Sequence, residues 1–175
     1  MIPMTPEQAT FLLQYTLPYV KNEHRTTRSI IEAIPQTNSD YRPDPNSKTA
    51  MELAWHVVAA EYRFYGGVVA GGFDFTPNHR PENVQTPAQV AEWYGASFAK
   101  NIEPLSKLSG EQLTRIVDFR GLLQLPAVAY LNFSLNHTIH HRGQLSTYLR
   151  AMGGQVPAIY GESYDSAAAK KAAQA

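Results

Sequence analysis

The 175-residue chain contains no cysteine. That single absence excludes disulfides, thiolate metal ligands and a cysteine nucleophile, and it fits a reducing compartment. The chain also lacks a charge bias, with fifteen Lys and Arg against fifteen Asp and Glu. Without a basic stripe there is no electrostatic footprint for nucleic acid, and no nucleic-acid partner is expected. No stretch approaches the roughly 18 consecutive apolar residues of a membrane span, so no membrane partner is expected either. Pro3, Pro6 and Glu7 stand where a secretory signal would need a basic start and an apolar run. The expectation is a cytoplasmic protein with one domain, long enough to bury a core without staples.

What is present is mainly helical periodicity. Thr5, Pro6 and Gln8 form a capping box with proline at the first helical position. The helix they open is expected to reach Ile34, with Pro18 kinking or restarting it. Pro35 to Ser47 reads as a loop. A second helix is expected from Ser47 or Lys48 to Val69, with Ala50, Leu53, Val57, Ala60 and Phe64 as its apolar stripe and His56 at the border. Phe73 to Gln85 is again loop-like. Thr86-Pro87 starts a third helix running to Leu108, with Val90, Trp93, Tyr94 and Phe98 facing inward and Pro104 as a bend or stop. Arg115 to Phe119 alternates like a short strand. A fourth helix is expected from Pro126 to Met152, closed by Gly153-Gly154. From Ser166 onward Ala, Lys and Gln dominate, which reads as a frayed tail. These elements predict an all-α fold, a four-helix bundle over residues 1–165 with a flexible tail over 166–175. The cores of such bundles commonly hold metal sites built from facing side chains.

Histidines carry the chemistry. His137 and His141 lie four residues apart on the fourth helix, so they are rotated by only about 40° and separated by about 6 Å along the axis. Tyr130, Ser134, His137, His141, Leu145 and Tyr148 share one seam. The stripe through Phe133, Asn136, His140, Gln144 and Thr147 is more polar, which leaves His140 at the surface or behind the other two. A third imidazole, His56, comes from the second helix. Three imidazoles with open positions match a catalytic metal centre better than a closed structural one. The plainer alternative is a cluster of core histidines satisfied by hydrogen bonds, with no metal at all.

The run Pro45 to Glu61, with Trp55-His56 at its heart, resembles the second-helix signature of the damage-inducible DinB family, also called DinB/YfiT-like proteins. The run His137 to Leu145, followed by Tyr148-Leu149-Arg150 and Gly153, resembles the family's fourth-helix signature. Val156 to Asp165 is similar to the segment that follows in many members, so the resemblance spans residues 5–165. It implies an up-down-down-up bundle, often a homodimer, holding a divalent metal through His56, His137 and His141. Zinc or nickel is expected first, then iron or manganese; imidazole also suits copper. The family includes thiol S-transferases with low-molecular-weight thiols, a thiol-dependent isomerase and metal-dependent hydrolases. Three neutral ligands leave the metal's charge uncompensated, which favours acidifying a bound water or thiol. The resemblance therefore implies a metal-dependent S-transferase or hydrolase acting on a small molecule. A non-catalytic metal-binding or stress-response dimer is the alternative.

Other residues are read structurally. Glu61 lies about 140° around the helix from His56, so an ion pair, with Arg142 as candidate partner, is expected before a role as general base. Glu52 is expected solvated or behind a ligand. Gln144 and Asn136 are hydrogen-bonding candidates, and Gly143 is expected to permit close helix packing. Trp55, Trp93 and Tyr130 are expected in the core, His24 and His79 at the surface, and Arg142 and Arg150 facing water or the helix end.

Overall fold

The structure, a computed structural model, describes residues 3–174; the outermost residues of the expected bundle and tail, 1, 2 and 175, lie outside the described residues. Four long helices dominate: α1 (Pro6–Glu32), α2 (Ala50–Ala70), α3 (Pro87–Ser106) and α5 (Ala129–Ala151). Two short helices, α4 (Gly110–Thr114) and α6 (Tyr164–Ala172), and a hairpin of β1 (Ile116–Phe119) and β2 (Leu123–Pro126) complete the order with a 3-10 turn at Gln36–Asn38. None of the helices among the described residues is long and apolar enough to cross a membrane.

The helix starts follow from local chemistry. Thr5 accepts from the Gln8 backbone N–H while the Gln8 side chain accepts from the Thr5 N–H, and Thr49/Glu52, Thr86/Gln89 and Ser109/Gln112 repeat the arrangement. Glu52 is thereby engaged at the start of α2 and exposed, with Arg42 3.9 Å away. α1 continues through Pro18, which has no N–H to donate to the preceding turn. At the end of α5, Gly153 (φ 75°) donates to the Arg150 carbonyl and Gly154 to that of Leu149, a Schellman closure.

Two apolar clusters reveal the helix directions. One joins the C-terminal ends of α1 (Ile30, Ile31) and α5 (Leu145, Leu149) to the N-terminal ends of α2 (Ala50, Leu53) and α3 (Val90, Ala91). The other joins the opposite ends: Ala9 and Leu13, Tyr130 and Leu131, Phe64 and Val68, and Leu105. α1 and α5 thus run one way and α2 and α3 the other, the up-down-down-up bundle expected. Around the ring α1 neighbours α3 and α5, as does α2, so the sequential helices α1 and α2 sit on a diagonal.

A buried polar layer separates the two clusters. Glu61 accepts from the Tyr94 hydroxyl at 2.7 Å and the Thr138 hydroxyl at 3.3 Å, and His24 Nδ1 lies 3.5 Å from its other oxygen. His24, expected at the surface, is buried, with its ring stacked on Phe98 at 3.8 Å. Arg142 is buried too, and its partner is Glu23 rather than Glu61. The Tyr160 hydroxyl joins them, accepting from Arg142 at 2.6 Å and donating to Glu23 at 3.0 Å. Burial and the Glu61 carboxylate hold the Tyr94 hydroxyl well above its usual range, so it stays protonated and donates.

Two peripheral pieces matter for the site. β1 pairs antiparallel with β2, Phe119 opposite Leu123, around a turn in which Arg120 and Gly121 both take positive φ. The strand at 116–119 matches expectation; its partner ends in Pro126, which was read as helix and instead closes the sheet edge. Residues 73–78 form a strap across the outer side of α2. Arg63 donates to the Asp74 and Thr76 carbonyls, and Trp55 Nε1 donates to that of Asn78. Gly67 is required beneath the strap, since a Cβ there would fall 2.2 Å from the Phe73 ring. The stretch from Ser166, read as frayed from composition, continues α6 (Tyr164–Ala172), which buries no residue.

Candidate metal centre

α2 and α5 are adjacent in the ring, and that adjacency brings the histidines together. His56 Nε2 lies 3.1 Å from His137 Nε2. The ring centroids of His56, His137 and His141 stand 4.9, 4.7 and 4.4 Å apart, a nearly equilateral triangle. One nitrogen from each falls within 4.8 Å of the others, and all three rings are half-buried. Two nitrogens bound tetrahedrally at about 2.0–2.1 Å are about 3.3 Å apart. The His56–His137 pair is already near that separation, and ring movement of up to about 1.5 Å brings His141 to it. No other cluster of three His, Asp or Glu with this spacing occurs among the described residues.

Two of the three donors are held in the neutral form. Burial, followed by the neighbouring His141 imidazole, pushes His56 down to about 4, with Lys48 and Arg63 adding to the effect. Burial and then His141 push His137 down to about 4 as well. Both are neutral near pH 7, as an imidazole ligand must be. His141 Nδ1 faces the Gln144 side-chain oxygen at 2.7 Å. With that acceptor in place Nδ1 carries the proton and Nε2 is left bare, the usual support for a metal-binding histidine.

The remaining expected residues separate cleanly. His140 is exposed beside His141 and outside the cluster, and His79 and Asn136 are exposed. Gly143 has open space where a Cβ would go, so it does not serve helix packing. Trp55 and Tyr130 are buried and Trp93 is half-buried. Glu61 turns into the polar layer, away from a ligand role. Sequence reasoning did not find the aromatic rings beside the cluster: Phe64 packs 6.2 Å from His137 and touches Phe133 and Phe119. The i, i+4 spacing of Phe133 and His137 was the available signal.

The profile of the DinB family matches residues 8–173. The chain belongs to the DinB family. Among relatives of this DinB protein, the Bacillus subtilis (strain 168) uncharacterized protein YjoA is 29% identical over 134 residues, 74% of this chain and 84% of that one. The uncharacterized protein YrdA of the same organism is 28% identical over 143 residues, 79% of this chain and 82% of that one. The crystal structure of the DinB-like protein YjoA shares the fold with a TM-score of 0.71 at 24% identity, covering 85% of this chain and 99% of that one. A DinB-like protein from Bacillus cereus gives a TM-score of 0.70 at 25% identity, covering 91% and 100%.

Proposed function

We propose that this DinB-family protein is a divalent-metal-dependent enzyme, a thiol S-transferase or a hydrolase, whose ion is held by His56, His137 and His141. The observation that carries this reading is the convergence of three imidazole nitrogens within 4.8 Å. Zinc or nickel suits the all-imidazole set best, ahead of iron or manganese. An ion held there supplies Lewis acidity, which lowers the pKa of a bound water or thiol.

The chain's own residues do the rest. His56 and His137 present neutral nitrogens because partial burial, and then the neighbouring His141, disfavour the charged ring. Gln144 fixes the tautomer of His141. Phe64 shields the flank of His137 from water. Three ligands leave coordination positions for a small-molecule substrate or a low-molecular-weight thiol. A homodimer in the cytoplasm belongs to the same proposal.

The test is elemental analysis of protein purified without a histidine tag, beside His56→Ala, His137→Ala and His141→Ala. About one equivalent of metal in the parent, lost in all three variants, supports the site. Thiol-conjugation and hydrolase screens on the loaded protein then separate an enzyme from a non-catalytic metal-binding bundle. No metal in the parent after reloading with zinc or nickel overturns the proposal.

A further inference from the structure

The histidine cluster borders a row of aromatic rings. Phe64 lies 6.2 Å from His137, stacks on Phe119 at 5.5 Å and meets Phe133 at 5.2 Å. Phe119 meets Phe133 at 6.2 Å and Phe75 at 5.1 Å, and the Arg120 guanidinium lies over Phe75 at 4.5 Å. The rings come from α2, the strap, the hairpin and α5, so the row is not simply one face of one helix.

Burial differs from ring to ring. Phe64 is 5% exposed, Phe75 and Phe119 are half-buried, and Phe133 is 39% exposed. An isolated surface phenylalanine needs no explanation. Phe133 is different because it stands one helical turn before His137 and continues a packed aromatic row out to solvent. A polar cluster beside an apolar wall, with the wall open at one end, is the composition of a small-molecule site. Ring separations of 5–6 Å are those of stacked and edge-on pairs, so a guest ring laid against Phe133 extends the row without strain.

We propose that Phe133, backed by the buried Phe64 and the half-buried Phe119, is the recognition surface of the three-histidine site, and that its ligands carry a metal-binding head group on an aromatic or flat apolar body. The proposal rests on the metal reading above and names the substrate class for it. Phe133 acts as the specificity-determining residue, touching the body of the ligand and not its head.

Cobalt-loaded protein tests this through its visible spectrum, with no need for an assay of turnover. The probes are benzohydroxamate and acetohydroxamate, which share a head group and differ in a phenyl or methyl body. Benzohydroxamate is expected to bind at least tenfold more tightly. Phe133→Ala is expected to weaken it roughly fivefold, the size of one ring contact, while acetohydroxamate shifts less than twofold. Phe11→Ala, which removes an exposed aromatic ring on α1, is expected to change neither. Equal affinity for the two probes, or an effect of Phe133→Ala no larger than that of Phe11→Ala, overturns the proposal. A cobalt spectrum that fails to form, or that survives His141→Ala, instead removes the metal reading beneath it.

Discussion

The side-chain oxygen of Gln144 lies 2.7 Å from Nδ1 of His141, one helical turn away on α5. The contact fixes which nitrogen of His141 is free, because a ring that donates from Nδ1 presents a bare Nε2. Gln144→Ala is therefore expected to lower metal affinity about 10- to 100-fold, in line with the loss of such supporting partners elsewhere. Gln144→Glu keeps the acceptor and is expected to retain most of the affinity. Competition with a chromogenic chelator measures both.

The neutral histidines make the metal-free protein sensitive to acid. His56 and His137 sit at about 4 in the folded state against an ordinary 6.5, so between those values the unfolded chain binds more protons. Stability then rises with pH across that window: the contribution is complete above about pH 6.5 and is lost as pH falls toward 4. The melting temperature of chelator-treated protein is expected to fall over this range. His137→Phe should flatten the fall; an equally steep curve in that variant would show that other groups govern it.

Glu61 is the acceptor for two hydroxyls in the middle of the bundle. Glu61→Ala strands the hydroxyls of Tyr94 and Thr138 in a buried layer and is expected to cost about 2–4 kcal/mol. Glu61→Gln retains an acceptor and should cost less. Urea denaturation read by circular dichroism gives both values, and a neutral result for the alanine variant would mean the layer is not under tension to stay paired.

The pair of Arg142 and Glu23 is buried and shares the Tyr160 hydroxyl. Arg142→Ala leaves a carboxylate uncompensated and is expected to cost about 3–5 kcal/mol. Tyr160→Phe removes only the bridging hydroxyl and should cost about 1 kcal/mol. Combining them is expected to cost less than the sum, since both act on Glu23.

Local signals were the most readable in the chain. Thr5 with Gln8 announced the start of α1, Gly153-Gly154 announced the end of α5, and the spacing of His137 and His141 placed both rings on one side of a helix. The seam through Tyr130, Ser134 and Leu145 pointed the histidines inward because apolar periodicity reports which face is covered. What escaped was decided across the bundle. His24 is buried only because Phe98 and Tyr94 of α3 and Glu61 of α2 meet it there. Arg142 pairs with Glu23 of α1 while Glu61 of α2 is taken by Tyr94 and Thr138, a choice between two neighbouring helices that no helical period encodes. Phe133 read as part of a polar stripe, since its aromatic neighbours come from a hairpin and a strap far along the chain.

His56 and His137 are 81 residues apart, and that interval is also a delay in time. At about 5–20 residues per second of synthesis, the second histidine-bearing helix follows the first by roughly 4–16 seconds. During that interval α1, α2 and α3 can begin to pack, but two of the three imidazoles do not yet exist. The donor triangle is thus assembled late, with only the segment carrying Tyr160 and α6 to follow, and any ion it takes meets an almost finished fold. Which ion it keeps is then decided by the shape of a closed helix pair and not by which metal first reached a growing chain.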